Sequence, residues 1–301
     1  MSSIADILRE ETAELPPRVQ TVCDIIESRH PERVQAFIYY GSSLRELDNP
    51  DKMLDFYVLV DSYRKTHKPI RAFLNAVIPP AVYYVEHTDE DGITSTCKYS
   101  ILSLPAFERR CSAKAFLSQT WGRFSQPCAL LSSKSETITS RIIEARERAI
   151  RHIAAETEPA FRNNPTPQDF WARAFYESYR TELRPESSTQ RTAEFVGKYL
   201  PRYERLSAIL YEINDGKIML PTHRRKGTRT RWFFRRLLGK PMTAIRVINS
   251  AATFDGGLDY VLRKLKNHSG VTIQPSEFQR RHPVFCSPVL GWKLWRKGAF
   301  R

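Results

Sequence analysis

The stretch "FIYYGSSLRELDNPDKMLDFYVLVDSYRK", residues 37–65, places a Gly-Ser-Ser turn after one apolar run and a single aspartate inside the next. Both runs are rich in β-branched and aromatic residues, a composition that favours strands. Gly41 opens the turn, and Asp55 follows it within the second run. Each feature also has an ordinary interpretation, because glycine turns are common between strands and a lone strand aspartate is often structural.

The two features together match what nucleotidyl transfer requires. Metal ions that bridge a triphosphate and an attacking oxygen need carboxylates on a rigid element. The triphosphate needs small residues whose backbone N–H groups can approach it closely. A hydrophobic strand, a Gly-Ser turn and an acidic strand are therefore typical of the nucleotidyltransferase fold. In that pattern a second carboxylate lies two positions after the first, on the same face of the strand. Here Tyr57 occupies that position, and the next acidic residue, Asp61, comes only at the far end of the strand.

Three later segments follow this stretch: "AVYYVEHTDEDGITSTCKYSILSL" (81–104), "FLSQTWGRFSQPCALL" (116–131) and "AIRVINSAATFDGGLDYVLRKL" (244–265). In order and spacing they resemble the mitochondrial-type CDP-diacylglycerol synthases, the translocator assembly and maintenance type of phosphatidate cytidylyltransferase. The resemblance covers residues 37–131 and 244–265. It implies CTP and phosphatidic acid as substrates, Mg²⁺ as the cofactor, and CDP-diacylglycerol and pyrophosphate as products.

The resemblance also implies an α+β fold, a mixed nucleotidyltransferase sheet with helices, followed by a helical, winged-helix-like domain and a basic amphipathic C-terminal region. We predict boundaries at 1–160, 161–222 and 223–301 for these parts. The periodicity of the chain agrees with this order, because strand-like runs at 34–40, 54–60, 81–86 and 95–102 precede helical patterns at 135–156, 168–183 and 190–214.

Site residues follow from the resemblance position by position. Gly41, Ser42 and Ser43 are expected to cradle the CTP phosphates, and Tyr99 to contact the nucleotide. Asp55 is expected to hold Mg²⁺. Glu86 does not come from the resemblance: we expect it as a further carboxylate because it ends a strand predicted to neighbour Asp55. Lys98 and Arg123 are expected to meet triphosphate or phosphatidate charge, since cations are the natural partners of such oxygens.

Some of these residues also have structural interpretations. Lys98 is also consistent with an ordinary solvated lysine on a strand. Arg123 is also consistent with an arginine packed on Trp121, and Glu86 with a surface residue. Two departures from the family, Ser100 in place of glycine and "SQPC" without a lysine before its proline, leave the substrate more open than the fold.

The basic charge is confined to the last quarter of the chain. Residues 224–301 hold 18 Lys and Arg against three Asp and Glu, whereas residues 1–223 hold 29 and 30. This asymmetry indicates an anionic partner for the C-terminal region, either a membrane or nucleic acid.

The segment "THRRKGTRTRWFFRRLLGK", 222–240, combines eight cations with clustered aromatic and aliphatic residues, which favours a helix lying in an anionic bilayer surface. The alternatives are nucleic-acid binding and a helix packed on the core. The residues expected to contact lipid are Arg231, Trp232, Phe233, Phe234, Arg235, Arg236, Leu237, Leu238, Arg246 and Lys264.

Other features place the protein in a reducing compartment. The five cysteines have neither disulfide nor metal-ligand spacing. The acidic N-terminus lacks the apolar core of a signal peptide and the arginines of a transit peptide. We therefore expect a peripheral enzyme at the cytoplasmic face of a bacterial inner membrane, with a mitochondrial inner membrane as the alternative.

Two other functions stay open: an RNA-directed nucleotidyltransferase, and a non-catalytic membrane-binding protein on a decayed fold.

Overall fold

A computed structural model describes residues 3–11, 17–41, 44, 49, 52–77, 80–90, 92–182, 189–251, 262, 266, 270–281 and 283–298. Its centre is a five-stranded mixed sheet in the order β3-β4-β2-β1-β5. The strands are β1 (Val34–Tyr39), β2 (Leu54–Val60), β3 (Ala81–Thr88), β4 (Thr94–Ser103) and β5 (Ala129–Ser133). The α+β class, the mixed sheet and four of these strands were predicted from the sequence and are confirmed; β5 was not predicted.

Two antiparallel pairs flank one parallel pair. β1 runs antiparallel to β2 and to β5, β2 runs parallel to β4, and β4 runs antiparallel to β3. The β3–β4 hairpin turns through Gly92, whose φ of +80° favours glycine. Antiparallel pairing of β1 with β2 brings the end of β1 beside the start of β2, so the Gly41 turn lies next to Asp55.

Helices cover both faces of this sheet. The helices before residue 160 are α1 (Ile4–Glu10), α2 (Pro17–Arg29), α3 (Tyr63–Thr66), α4 (Pro69–Val77), α5 (Leu104–Arg110), α6 (Trp121–Phe124) and α7 (Glu136–Thr157). Those after it are α8 (Pro167–Tyr179), α9 (Thr189–Gly197), α10 (Leu200–Leu210), α11 (Thr228–Ala251), α12 (Glu277–Arg281) and α13 (Pro283–Arg296). A short hairpin of β6 (Ile213–Asn214) and β7 (Lys217–Ile218) follows α10.

The predicted helix over 190–214 is wrong in its length. The chain leaves the helical conformation between α9 and α10, and α10 restarts with Pro201 in its first turn. Proline is tolerated there because the first-turn N–H groups have no intrahelical acceptor. The last predicted residues form strand β6 instead.

Alternation along β2 assigns its side chains to two cores. Phe56 and Val58 belong to a cluster with α2, whereas Tyr57 and Leu59 belong to a cluster built with α1, α5, α7, α8 and α10. The second cluster runs continuously from Ile4 to Trp232. The predicted boundary at residue 160 therefore does not divide the hydrophobic core.

Two further sequence expectations concern the described residues. All five cysteines are free and buried. Within the described part of the chain, none of the helices combines the length and the apolar character needed to cross a bilayer.

Candidate functional site

Gly41 and Asp55 are in direct contact. The peptide N–H of Tyr40 donates to the carbonyl oxygen of Asp55 over 3.1 Å, which continues the β1–β2 pairing to the turn. Gly41 then adopts φ +95°, and a Cβ added to it would lie 3.1 Å from Asp55 Oδ2. The turn therefore requires glycine for its backbone conformation and for the close approach of the carboxylate. The structure brings together two of the predicted site residues.

Lys98 is the neighbour of Asp55 on the adjacent strand. The parallel pairing of β2 with β4 places the two residues opposite each other in register, and both side chains are half-buried. Neighbouring strands lie about 4.8 Å apart, so residues in register on one face are adjacent. The sheet thus sets a cation beside the carboxylate, whereas the contact of Lys98 with phosphate charge stays a prediction.

Tyr57 occupies the position two residues after Asp55 and shares its face. Its ring packs on Tyr40 at 4.9 Å and on Phe124 at 4.8 Å between centroids. The usual second carboxylate is therefore replaced by an aromatic wall. Among the described residues, no group of three or more His, Cys, Asp or Glu side chains could hold a metal ion by itself.

Arg123 reaches the same wall from α6. Its guanidinium lies over the ring of Tyr40, 4.9 Å from the centroid. Burial opposes its charge, but the phenol of Tyr40 and the carboxylate of Glu182 raise the pKa of Arg123 above its ordinary value. The residue is therefore a permanent cation held beside Tyr40, and its predicted packing partner Trp121 instead faces the core.

Two arginines that were not predicted at this site join Arg123 around Tyr57. Burial lowers the pKa of Arg246, on α11, and Arg123 adds to that effect while Tyr57 and Glu182 oppose it. Burial also lowers the pKa of Arg110, at the end of α5, and Arg246 contributes. Arg123 thus acts on Arg246, and Arg246 on Arg110, so the three arginines form a chain of charges beside Tyr57.

Clustered arginines are unfavourable unless an anion offsets their repulsion. Among the described residues, Lys98 beside Asp55 and the three arginines around Tyr57 bring four cations to this sheet face, with Asp55 and Glu182 as the carboxylates near them. The Nε of Arg110 is buried and has no hydrogen-bond partner among the described residues. Arginine and lysine donors in a partly buried site are suited to phosphate oxygens. This group of side chains around Asp55, which we call the cleft at Asp55, is therefore suited to an anionic ligand.

Sequence reasoning missed Arg110 and Glu182 and assigned Arg246 to lipid. A faint signal existed for Arg246, because the 244–265 segment resembles the family's C-terminal segment. Arg110 and Glu182 have no motif of their own, and only the tertiary structure brings them here, through the packing of α5 on β2 and β4 and the position of the segment after α8.

Tyr99 is not at the site, so its prediction as a nucleotide contact is wrong. It follows Lys98 on β4 and therefore points to the opposite face. There its hydroxyl lies 3.2 Å from His30 Nε2 and its ring stacks on Tyr83 at 5.3 Å.

Glu86 shares the sheet face of Asp55 but does not approach it. Glu86 pairs with Thr96, whereas Asp55 pairs with Lys98, so an entire strand and a two-residue offset separate the two carboxylates. The Glu86 side chain is exposed and accepts a hydrogen bond from Tyr84 at 3.1 Å. The predicted pairing of Glu86 with Asp55 at one metal ion is therefore not formed. Ser42, Ser43 and Lys264 lie outside the described residues.

The basic helix α11 is divided between buried and exposed predicted lipid contacts. Trp232 is buried, donating from Nε1 to the carbonyl oxygen of Glu156 at 3.1 Å. Arg231 and Arg235 form ion pairs with the Glu156 carboxylate at 3.1 and 2.5 Å. For Trp232 and Arg235 the prediction of lipid contact is wrong, because the buried Glu156 draws this side of the helix inward.

The outer side of α11 keeps its apolar residues exposed. Four of them are 46–57% exposed, and we call them the apolar stripe: Phe233, Phe234, Leu237 and Leu238. Arg236, also predicted to contact lipid, pairs with Glu177 at 2.9 Å and borders this stripe from the protein side.

Comparisons with known proteins leave the family open. No family model and no curated protein matches the chain. Among solved structures, the nucleotidyltransferase-like protein from Exiguobacterium sibiricum 255-15 is similar over 93% of this chain and 92% of that chain, at 12% identity and a TM-score of 0.27. That score is too low to argue a shared fold. The architecture described above therefore rests on the strand order and register, and the resemblance to phosphatidate cytidylyltransferases stays a prediction.

Proposed function

We propose that the protein is a nucleotidyltransferase that converts CTP and phosphatidic acid to CDP-diacylglycerol and pyrophosphate at a membrane surface. One observation carries the proposal: Gly41 lies against the Asp55 carboxylate, with Lys98 in register beside it and Arg123 on the same sheet face. A tight glycine turn, one carboxylate and several fixed cations are what a triphosphate substrate requires.

Each residue has a role in this scheme. The Gly41 turn lets the triphosphate approach the backbone, and Lys98 with Arg123 neutralises phosphate charge. The lipid phosphate attacks the α-phosphorus of CTP in line, and pyrophosphate leaves from the opposite side. The protein itself contributes mainly positioning and charge stabilisation, as in other phosphoryl transfers.

Asp55 fits a magnesium ion that the substrate also coordinates. Mg²⁺ is commonly bound through one or two carboxylates together with substrate phosphates, so a single aspartate beside the triphosphate is an adequate donor set. When bound, the ion would supply charge neutralisation at the reacting phosphates. Asp55 is the residue that would hold it.

The membrane part of the proposal rests on α11. The apolar stripe is exposed on a strongly basic helix, a combination that suits an anionic bilayer surface. Paired phenylalanines and leucines also favour lipid over nucleic acid as the partner, and the cytoplasmic face of a bacterial inner membrane is the proposed location.

Asp55→Asn tests the function, with Asp61→Asn as its matched control. Asp61 lies on the same strand face but pairs with Arg33 at 3.3 Å at the far end of β2. CTP labelled in its α-phosphate is offered with Mg²⁺ to phosphatidate in detergent micelles and, in parallel, to short RNA. We expect label in a chloroform-soluble product from the wild type and from Asp61→Asn, and none from Asp55→Asn.

Three results would change the proposal. Label in RNA would replace the lipid substrate by a nucleic acid. Turnover by Asp55→Asn would remove the metal-ligand role of Asp55. Absence of transfer to both acceptors by the wild type would favour a non-catalytic membrane-binding protein.

A further inference from the structure

A second basic cavity lies where α7 meets the start of α11. Its volume is about 210 Å³, and it is lined by Lys114, Phe116, His152, Glu156, Arg225, Arg231 and Arg235 together with Ala113. None of these residues belongs to the cleft at Asp55, so the cavity is a separate feature of the molecule.

The charges around this cavity do not balance. Glu156 is fully buried and forms ion pairs with Arg225 at 2.7 Å, Arg231 at 3.1 Å and Arg235 at 2.5 Å. Lys114 adds a fourth cation to the lining. One carboxylate compensates one of these four positive charges, so the cavity keeps a clear excess of positive charge in a partly dry environment, where it is costly.

His152 adds a neutral hydrogen-bond donor to the same lining. Its Nδ1 lies 3.2 Å from Arg225 Nη1, and because a guanidinium can only donate, Nδ1 is the acceptor. Burial lowers the pKa of His152 to about 4. The neutral ring therefore carries its proton on Nε2, and this buried Nε2 has no hydrogen-bond partner among the described residues.

The start of α11 strengthens the positive potential. Helix α11 has 24 residues and no acidic residue in its first turn. The N-terminal end of a helix attracts anions and disfavours cations, yet Arg231, which lines the cavity, lies in the first turn of this helix. An anion bound beside Arg231 would relieve both the helix dipole and the arginine repulsion.

We propose that this cavity binds a phosphate group, at a site distinct from the cleft at Asp55. Its volume suits a phosphate better than a whole nucleotide, which needs a larger pocket. The group could belong to a lipid headgroup or to a soluble phosphate compound. Phe116, 42% exposed, borders the cavity, and the outer side of α11, the helix that supplies Arg231 and Arg235 to the lining, carries the apolar stripe. The proposal does not depend on nucleotidyl transfer.

Calorimetric titration of the full chain with inorganic phosphate tests the site. The double variant Lys114→Gln/Arg225→Gln removes two lining cations and leaves the buried pairs of Glu156 with Arg231 and Arg235. Arg229→Gln, an exposed residue of the same helix, is the charge-matched control, and Lys98→Gln reports phosphate held at the Asp55 cleft instead.

We expect the double variant to lose about tenfold or more in phosphate affinity, since charge-assisted contacts are the strong ones. Arg229→Gln and Lys98→Gln should keep this binding component. Wild-type affinity in the double variant would overturn the proposal. If the double variant does not fold, Lys114→Gln alone decides, because Lys114 makes none of the contacts to Glu156; unchanged affinity would again refute the site.

Vesicles identify the source of the phosphate group. Phosphatidylcholine vesicles with and without phosphatidate are sedimented with each variant. Loss of phosphatidate-dependent sedimentation in the double variant supports a lipid headgroup, whereas retained sedimentation with lost phosphate binding supports a soluble ligand. Asp55→Asn should bind phosphate here normally, so failure of the transferase proposal and failure of this one are distinguishable.

Discussion

Gly41 and Asp55 form one structural unit, since a Cβ on Gly41 would come within 3.1 Å of Asp55 Oδ2. The backbone bond from Tyr40 to Asp55 fixes this contact from the other side. The carboxylate is therefore positioned by the backbone of the turn, and its geometry depends on the absence of a side chain at residue 41.

Replacing Gly41 by alanine should remove turnover and lower stability. The substitution places a side chain at φ +95° and displaces the carboxylate, at a cost of about 1 kcal/mol or more. Gly92→Ala is the control, because Gly92 has φ +80° but no atom within 4 Å of its added Cβ. Both variants should unfold at lower denaturant concentration, and only Gly41→Ala should lose transfer. Equal turnover in the two variants would contradict the role of the contact.

Glu156→Gln should destabilise the protein strongly. The change leaves three arginines around a neutral amide, and breaking a buried ion pair typically costs about 3–5 kcal/mol. Glu147→Gln on the same helix is the control, since Glu147 pairs with Arg151 at 2.8 Å at the surface, where such pairs contribute less than about 1 kcal/mol. Urea unfolding gives the free energy of unfolding of both variants. A similar midpoint for the two variants would show that Glu156 does not anchor α11.

The stability of the protein should fall on mild acidification, in part because of His152. Burial lowers the pKa of His152 from 6.5 to about 4, so the folded state binds this proton less readily than the unfolded state. Its contribution is complete above pH 6.5 and is lost as the pH falls towards 4. Unfolding free energies measured across this range should show a smaller slope for His152→Asn than for the wild type. An unchanged slope would mean that the folded protein protonates His152 freely.

Gly239→Ala should reduce turnover from a distance. An added Cβ at Gly239 would lie 2.4 Å from the carbonyl oxygen of Thr181, a backbone atom that cannot turn aside. The clash would push α11 outward, and α11 carries Arg246 to the cleft. Gly197→Ala is the control, because its Cβ would meet only Gln168 at 3.6 Å. Transfer assays and thermal unfolding should show a loss for Gly239→Ala alone, and equal activity of the two variants would contradict this dependence.

Replacing the apolar stripe by serine should weaken binding to anionic vesicles without unfolding the protein. All four residues are exposed, so their loss removes little from the core. Ile70→Ser/Phe73→Ser is the control, since these two residues of α4 are 79% and 67% exposed. Sedimentation should fall for the stripe variant and stay unchanged for the control. Unaltered sedimentation of the stripe variant would remove α11 from the membrane proposal.

Strands β1 to β4 and the pair Gly41 and Asp55 could be predicted from the sequence because their signals are local. A nearly continuous run of apolar and β-branched residues predicts β2 with its observed ends. The Gly41 turn and Asp55 lie on consecutive strands of the chain, so their proximity needs no distant contact. Lys98 is an intermediate case: a motif identified it, but only the register of β2 with β4 shows that it faces Asp55 and that Tyr99 faces away.

The orientation of α11 required the tertiary structure. The sequence predicted lipid contact for Arg235 and Trp232, which flank or border the apolar face of the helix, since such aromatic and basic residues are typical of interfacial helices. Glu156, 79 residues before Arg235, reverses that assignment by supplying a buried carboxylate that offsets the desolvation of the guanidinium.

The sequence by itself therefore determined four of the five strands of the sheet, the Asp55 carboxylate and the glycine beside it, because residue composition and turn chemistry act between near neighbours. Only the tertiary structure decided which cations converge on the cleft and which side of the basic helix is buried. Those outcomes depend on buried charges whose partners lie on other helices and strands. A local sequence pattern contains no information on which distant partner offsets the cost of burying each charge.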